Sequence, residues 1–160
     1  MPLDLTRSLQ ETFAPTSRCF GCGHANEKGL RIRSFATEDS AEAVLVCDWT
    51  PERHHEAFDD ILNGGIIGAL LDCHMVWTAI FHRMKREGLE YAPCCVTADF
   101  KVTLKRPTPL GPVHLESRVV SSEGDRAIVE ATMTAEGKIT ALGTGTFVAV
   151  KPGHPAYQRW

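Results

Sequence analysis

Apolar and polar residues change their rhythm twice along this chain. From Leu30 they alternate, first in "LRIRSF" and then in "AEAVLVCDW", where Ala43, Leu45, Cys47 and Trp49 share one face and Val44 and Val46 the other. That pattern predicts a two-stranded hairpin. A loop, "TPERHHEAFDDI", leads to Ile66, Ile67, Leu70, Leu71, Met75 and Thr78, which recur at helical spacing. The spacing predicts one helix from about Gly65 to Arg86, closed by the basic residues and glycine of "HRMKREG". Alternation then returns in "CCVTADFKVTLKR", "GPVHLESRVVSS", "RAIVEATMTAE" and "KITALGTGTFVAV", separated by short turns that predict an antiparallel meander. The helix is apolar around most of its circumference, so the sheet must wrap it. The expected class is α+β: a curved antiparallel sheet of about six strands around one long central helix. Residues 1–29 read as a turn-rich lead-in, 30–150 as the domain and 151–160 as a tail. A sheet edge and a poorly covered helix predict pairing with a second copy, as a homodimer or a dimer of dimers.

Composition narrows the function. At 160 residues the chain has room for one good core, and a net charge of −3 argues against wrapping nucleic acid. "MPLDLTRSLQETF" lacks the apolar run of a signal peptide, and Asp72 and His74 interrupt the apolar stretch Gly64 to Phe81, so neither secretion nor a membrane span is expected. Six cysteines, two of them adjacent at Cys94 and Cys95, fit a reducing compartment, and the expected location is cytoplasmic.

The candidate chemistry lies in "NGGIIGALLD", residues 63–72. Gly65, Gly68 and Asp72 fall on one helical stripe that carries no bulk until the acid. Two glycines cost on the order of 1 kcal/mol each inside a helix, which suits a place where something else lies against the backbone. The first turn offers unpaired N–H groups at the positive end of the helix dipole, with Asn63 where the N-cap belongs. Such a turn can hold a carbonyl oxygen that becomes negative in a transition state, and Asp72 can activate water or attack. The same pattern also admits glycines that permit close packing and an Asp72 that faces solvent.

With these residues the sequence resembles the hotdog-fold acyl-CoA thioesterases, in particular the PaaI-like, phenylacetate-pathway branch. That family opens its helix with His-Gly-Gly and carries an acid seven residues after the second glycine, the spacing from Gly65 to Asp72. The similarity extends through "TADFKVTLKRPTPLG" and covers roughly residues 28 to 150, and "CFGCGHANEKGL" is similar to an opening found in some members. The resemblance implies that the Gly65 amide polarises the thioester carbonyl and that Asp72 is general base or nucleophile. It implies that Thr97 helps orient the attacking water, and that each site takes its glycine from one chain and its acid from the partner. Asn63 stands where the family has histidine, and asparagine cannot exchange a proton near neutral pH.

Gly64 and Gly68 complete the expected substrate-binding surface. Among the basic positions Arg83, Lys85, Arg86, Lys101, Lys105 and Arg106, the pair Lys105 and Arg106 is assigned to the coenzyme A phosphates, against the plainer reading of a solvated face. No cofactor is expected. Cys19, Cys22 and His24 have the spacing of half a zinc site, with Cys94 or Cys95 as possible completion, but a second Cys-x-x-Cys is missing and no metal is expected. His54, His55 and His74 are read as structural, and Trp77, Phe81 and Phe100 as core before acyl pocket. The expected function is acyl-CoA hydrolysis. The alternative is a non-catalytic acyl-CoA binding or sensing protein on the same fold, and a hydratase ranks third for want of a histidine placed with an acid.

Overall fold

The computed structural model describes residues 3–38 and 44–159. The long helix, α2, spans Gly64–Glu87, two residues longer than expected, and ends at Gly88, whose left-handed backbone (φ 65°) lets its N–H close on the Met84 carbonyl. Around it lie β1 (Phe35–Ala36), β2 (Leu45–Trp49), β5 (Cys95–Leu104), β6 (Val113–Glu123), β7 (Arg126–Ala135) and β8 (Lys138–Ala149), in the order β1-β2-β6-β7-β8-β5 with every pairing antiparallel. Strands β2, β5, β6, β7 and β8 all contact α2. From Leu70 to Met84 the helix is buried at Leu70, Leu71, His74–Phe81 and Met84, so its apolar girth is consumed by the sheet. By length and hydropathy α2 could cross a membrane, contrary to the reading that Asp72 and His74 disqualify it, yet its apolar residues pack inside the protein.

The expected four-strand meander holds for β6, β7 and β8 alone: β5 pairs with β8 at the far edge, so the β5–β6 connection crosses the sheet instead of turning tightly. Three further regions depart from the pattern-based expectation. The first strand is two residues long instead of the six of "LRIRSF". The backbone there is already engaged: Leu30 and Ile32 donate to the Phe20 and Gly21 carbonyls, and Ser34 accepts from the Leu9 amide. Arg31 sits at φ 55°, outside extended geometry. Ala43, assigned to the second strand, lies outside the described residues. The loop before α2 holds a 3-10 turn at Arg53–His55 and a small hairpin of β3 (Glu56–Phe58) with β4 (Ile61–Leu62), fastened by Arg53 to Glu56 at 3.1 Å and to Asp60 at 2.8 Å.

The lead-in is part of the packed structure. Its short helix α1 (Leu9–Phe13) starts with a capping box between Ser8 and Glu11. Gln10, fully buried, donates to Ser34 Oγ at 3.1 Å and accepts from the Ser34 amide at 2.8 Å. Ser34 Oγ meets His74 Nδ1 at 2.8 Å, and His74 Nε2 meets the Leu45 carbonyl at 3.1 Å. A carbonyl can only accept, so Nε2 carries the hydrogen and Nδ1 accepts from the serine hydroxyl. Each polar atom of the His74 ring thereby has a partner, as burial demands.

Candidate active site

Asn63 is the N-cap of α2, and its side-chain oxygen accepts the Ile66 N–H at 3.1 Å while its carbonyl accepts the Ile67 N–H. Helix geometry gives the Gly64 and Gly65 amides no intrahelical acceptor, and both glycines are exposed. The glycine face looks toward β5. A Cβ on Gly64 would stand 3.6 Å from Leu104 Cδ1, and one on Gly68 3.9 Å from Phe100 Cε2. Side chains larger than hydrogen would therefore fill the groove between helix and strand.

Two turns further along, Asp72 is half-buried and Thr97 Oγ1 donates to its Oδ1 at 2.7 Å. Burial pushes the Asp72 carboxyl above its ordinary value, and the Thr97 hydrogen bond pulls in the opposite direction. The pairing register of β5 with β8 shifts between Thr97 and Asp99, a bulge beside the acid. The structure thus brings Asp72 and Thr97 into contact, and joins Asn63, Gly64 and Gly65 as the first turn of the same helix. Gly65 and Asp72 remain about 10 Å apart along the axis.

The other candidates sort by what they touch. Lys105 and Arg106 are exposed and follow Leu104, the neighbour of Gly64. Arg83 is engaged with Glu87 at 3.1 Å and Asp125 at 2.9 Å, and Arg86 with Glu87 and the Gly124 carbonyl, so these two brace the end of α2. Trp77 and Phe81 are core. Phe100 is not: it is 43% exposed on β5 beside Gly68, and β5 is the last strand of the sheet order, with no further strand beside it among the described residues. The His54 and His55 rings pack at a tilt in the 3-10 turn, where His55 Nδ1 accepts the Glu52 amide. The zinc-like half site gains neither Cys94, which donates to the Ala156 carbonyl, nor Cys95. Cys73 of α2 instead joins Cys19 and Cys22, and His24 stays outside that group. Sequence reasoning overlooked Cys73, since adjacency to Asp72 was its single signal.

A six-stranded antiparallel sheet wrapped on one long helix, with a glycine-opened first turn and an acid on the same stripe, defines a hotdog protein. The chain belongs to the thioesterase superfamily, whose sequence model matches residues 60–142, from the hairpin before α2 to the middle of β8. Among solved structures it is similar to a phenylacetic acid degradation-related protein of Ralstonia eutropha JMP134, with a TM-score of 0.63 at 21% identity over 75% of this chain and 86% of the other. The PaaI protein of the E. coli phenylacetic acid degradation operon gives 0.63 at 14% identity, over 76% and 81%. A Bacillus halodurans protein solved with CoA gives 0.61 at 21%, over 76% of each chain. At these identities the likeness is one of fold. Among curated proteins none matches.

Proposed function

We propose that this protein hydrolyses an acyl-CoA thioester to the free acid and coenzyme A. The observation that carries this reading is Asp72, a half-buried carboxylate in the apolar first half of α2, held by Thr97 and set on the stripe opened by Gly65 and Gly68. In this scheme the Gly65 amide donates to the thioester oxygen as charge develops there. Asp72 takes the proton of an attacking water or attacks the carbonyl itself, and Thr97 fixes which carboxylate oxygen faces the substrate. Burial raises the proton affinity of Asp72, which makes it a stronger base than an exposed carboxylate. Lys105 and Arg106 receive phosphates of coenzyme A, and the exposed Phe100 lines the acyl groove. The Bacillus halodurans relative, solved with CoA, supports this ligand class.

The 10 Å between Gly65 and Asp72 exceeds what contacts of about 3 Å at each end can bridge with one aspartate. The site is therefore assigned to two chains, the glycine from one and the acid from its partner. Two inactive variants, Asp72→Asn and Gly65→Pro, should complement when their subunits exchange. Proline is tolerated in a helix's first turn and removes the N–H in question. Half the dimers become heterodimers with one intact site in two, so about a quarter of parental activity is expected. Confirmed exchange without recovered activity refutes the shared site. A screen of short, long and aromatic acyl-CoAs by thiol release tests the reaction itself. Binding without turnover across that screen would establish the sensing alternative, which Asn63 favours by being engaged in the helix cap at the position where the resemblance implies histidine.

A further inference from the structure

The lead-in meets α2 through sulfur. Cys19 and Cys22 stand at the ends of the turn "CFGC", and Cys73 reaches them from α2; the three Sγ atoms lie within 4.8 Å of one another. Cys19 and Cys73 are 3.8 Å apart. Two thiolates bound to zinc at about 2.3 Å, at the tetrahedral angle, are separated by about 3.8 Å, so this pair already stands at ligand spacing. Glycine is what allows the approach. A Cβ on Gly21 would stand 2.3 Å from the Cys73 sulfur, and one on Gly23 2.4 Å from the Cys19 nitrogen. Trp77 Nε1 donates to Cys22 Sγ at 3.3 Å, an outer contact of the kind that orients a metal-bound ligand. Cys19 is exposed and borders a cavity of about 490 Å³ shared with Thr16 and Arg159, which gives an ion a way in.

We propose that Cys19, Cys22 and Cys73 bind one zinc ion as thiolates, with a water completing the tetrahedron, and that the ion ties the lead-in to the helix that carries Asp72. Three sulfurs without a carboxylate suit zinc and reject calcium or magnesium. Binding releases the thiol protons to solvent. A disulfide between any two would leave the third sulfur without its partner and require Cys19 and Cys73, or an equivalent pair, to close to about 2.05 Å. This site is proposed against the expectation of no metal, which weighed Cys94 and Cys95 and the missing second Cys-x-x-Cys but not Cys73. It stands independently of whether Asp72 is catalytic.

Protein produced in zinc-supplemented medium and purified without chelator should carry one zinc per chain by elemental analysis and native mass spectrometry. Cobalt(II) exchanged into the site should show sulfur-to-metal charge transfer and the strong visible bands of tetrahedral geometry. Cys19→Ser, at an exposed position, and Cys73→Ser should each weaken zinc binding by at least about 100-fold, the upper range for loss of a mere outer-shell partner. Cys94→Ser should leave it unchanged. The proposal is overturned if fully reduced parent protein, with its thiols counted, takes up no cobalt. It is equally overturned if Cys19→Ser and Cys73→Ser retain one zinc at parental affinity, or if thiols trapped in the cell reveal a Cys19–Cys22 disulfide.

Discussion

Asp72 and His74 stand two residues apart on α2, about 200° around its axis, and the fold treats them oppositely. His74 points into the core, fully buried, with both ring nitrogens satisfied by Ser34 and the Leu45 carbonyl. Asp72 stays half-buried on the open glycine stripe, with Thr97 on one oxygen. Both groups pay for burial in proton affinity, in opposite directions: the neutral form is favoured in each, so the acid is pushed up and the imidazole down, to about 4. The difference lies in what remains available. Both ring nitrogens of His74 are used within the chain, which makes it structural, whereas among the described residues only one oxygen of Asp72 is engaged, by Thr97.

The comparison breaks most visibly at Asp72 itself. Asp72→Asn keeps the shape and removes the base, and should lower kcat by about 10²- to 10⁴-fold with the thermal midpoint held near that of the parent. Parental turnover in that variant would reduce Asp72 to a surface acid. For His74 the expected effect is on stability. Above pH 6.5 the ring is neutral folded and unfolded, and its contribution is fully present. Between 6.5 and about 4 the unfolded chain takes up the proton while the folded chain resists, so stability falls as pH falls, by roughly 3 kcal/mol in total. Urea midpoints across this range, with the ring followed by nitrogen NMR, test it; an imidazole that protonates near 6.5 in the folded protein contradicts the network drawn here.

Smaller effects sharpen the contrast. Thr97→Ala should cost about tenfold in kcat/KM, the worth of one hydrogen bond to a charged group, and Thr97→Ser should restore most of it. An unchanged rate would return Thr97 to an ordinary strand residue. Asn63→Ala removes the cap bond to Ile66 and should destabilise the fold by about 1 kcal/mol in chemical denaturation, and Asn63→Asp should recover that loss because it caps equally well.

Much of this molecule follows from local rules. The period of Ile66, Ile67, Leu70, Leu71 and Met75 dictates a helix, and Gly88 its end, because burial and backbone geometry act over single turns. The strands β5 to β8 are written in alternation and turn residues, and the stripe from Gly65 to Asp72 in helical spacing alone, whereas the pairing of β5 with β8 in place of β6 is not. Contacts between segments distant in the chain carry no such signature. Leu30, Ile32 and Ser34 alternate as a strand should, yet Phe20, Gly21 and Leu9 take their backbone groups, a competition that hydrophobic pattern does not encode. Phe100 reads as core until the sheet order leaves β5 at the edge. Thr97 reaches Asp72 across a separation of 25 residues, and Cys73 reaches Cys19 across 54. Periodicity assigns a residue to a face; which other face meets it is decided when distant segments close on α2, the strand β5 bringing Thr97 to Asp72 and the lead-in bringing Cys19 and Cys22 to Cys73.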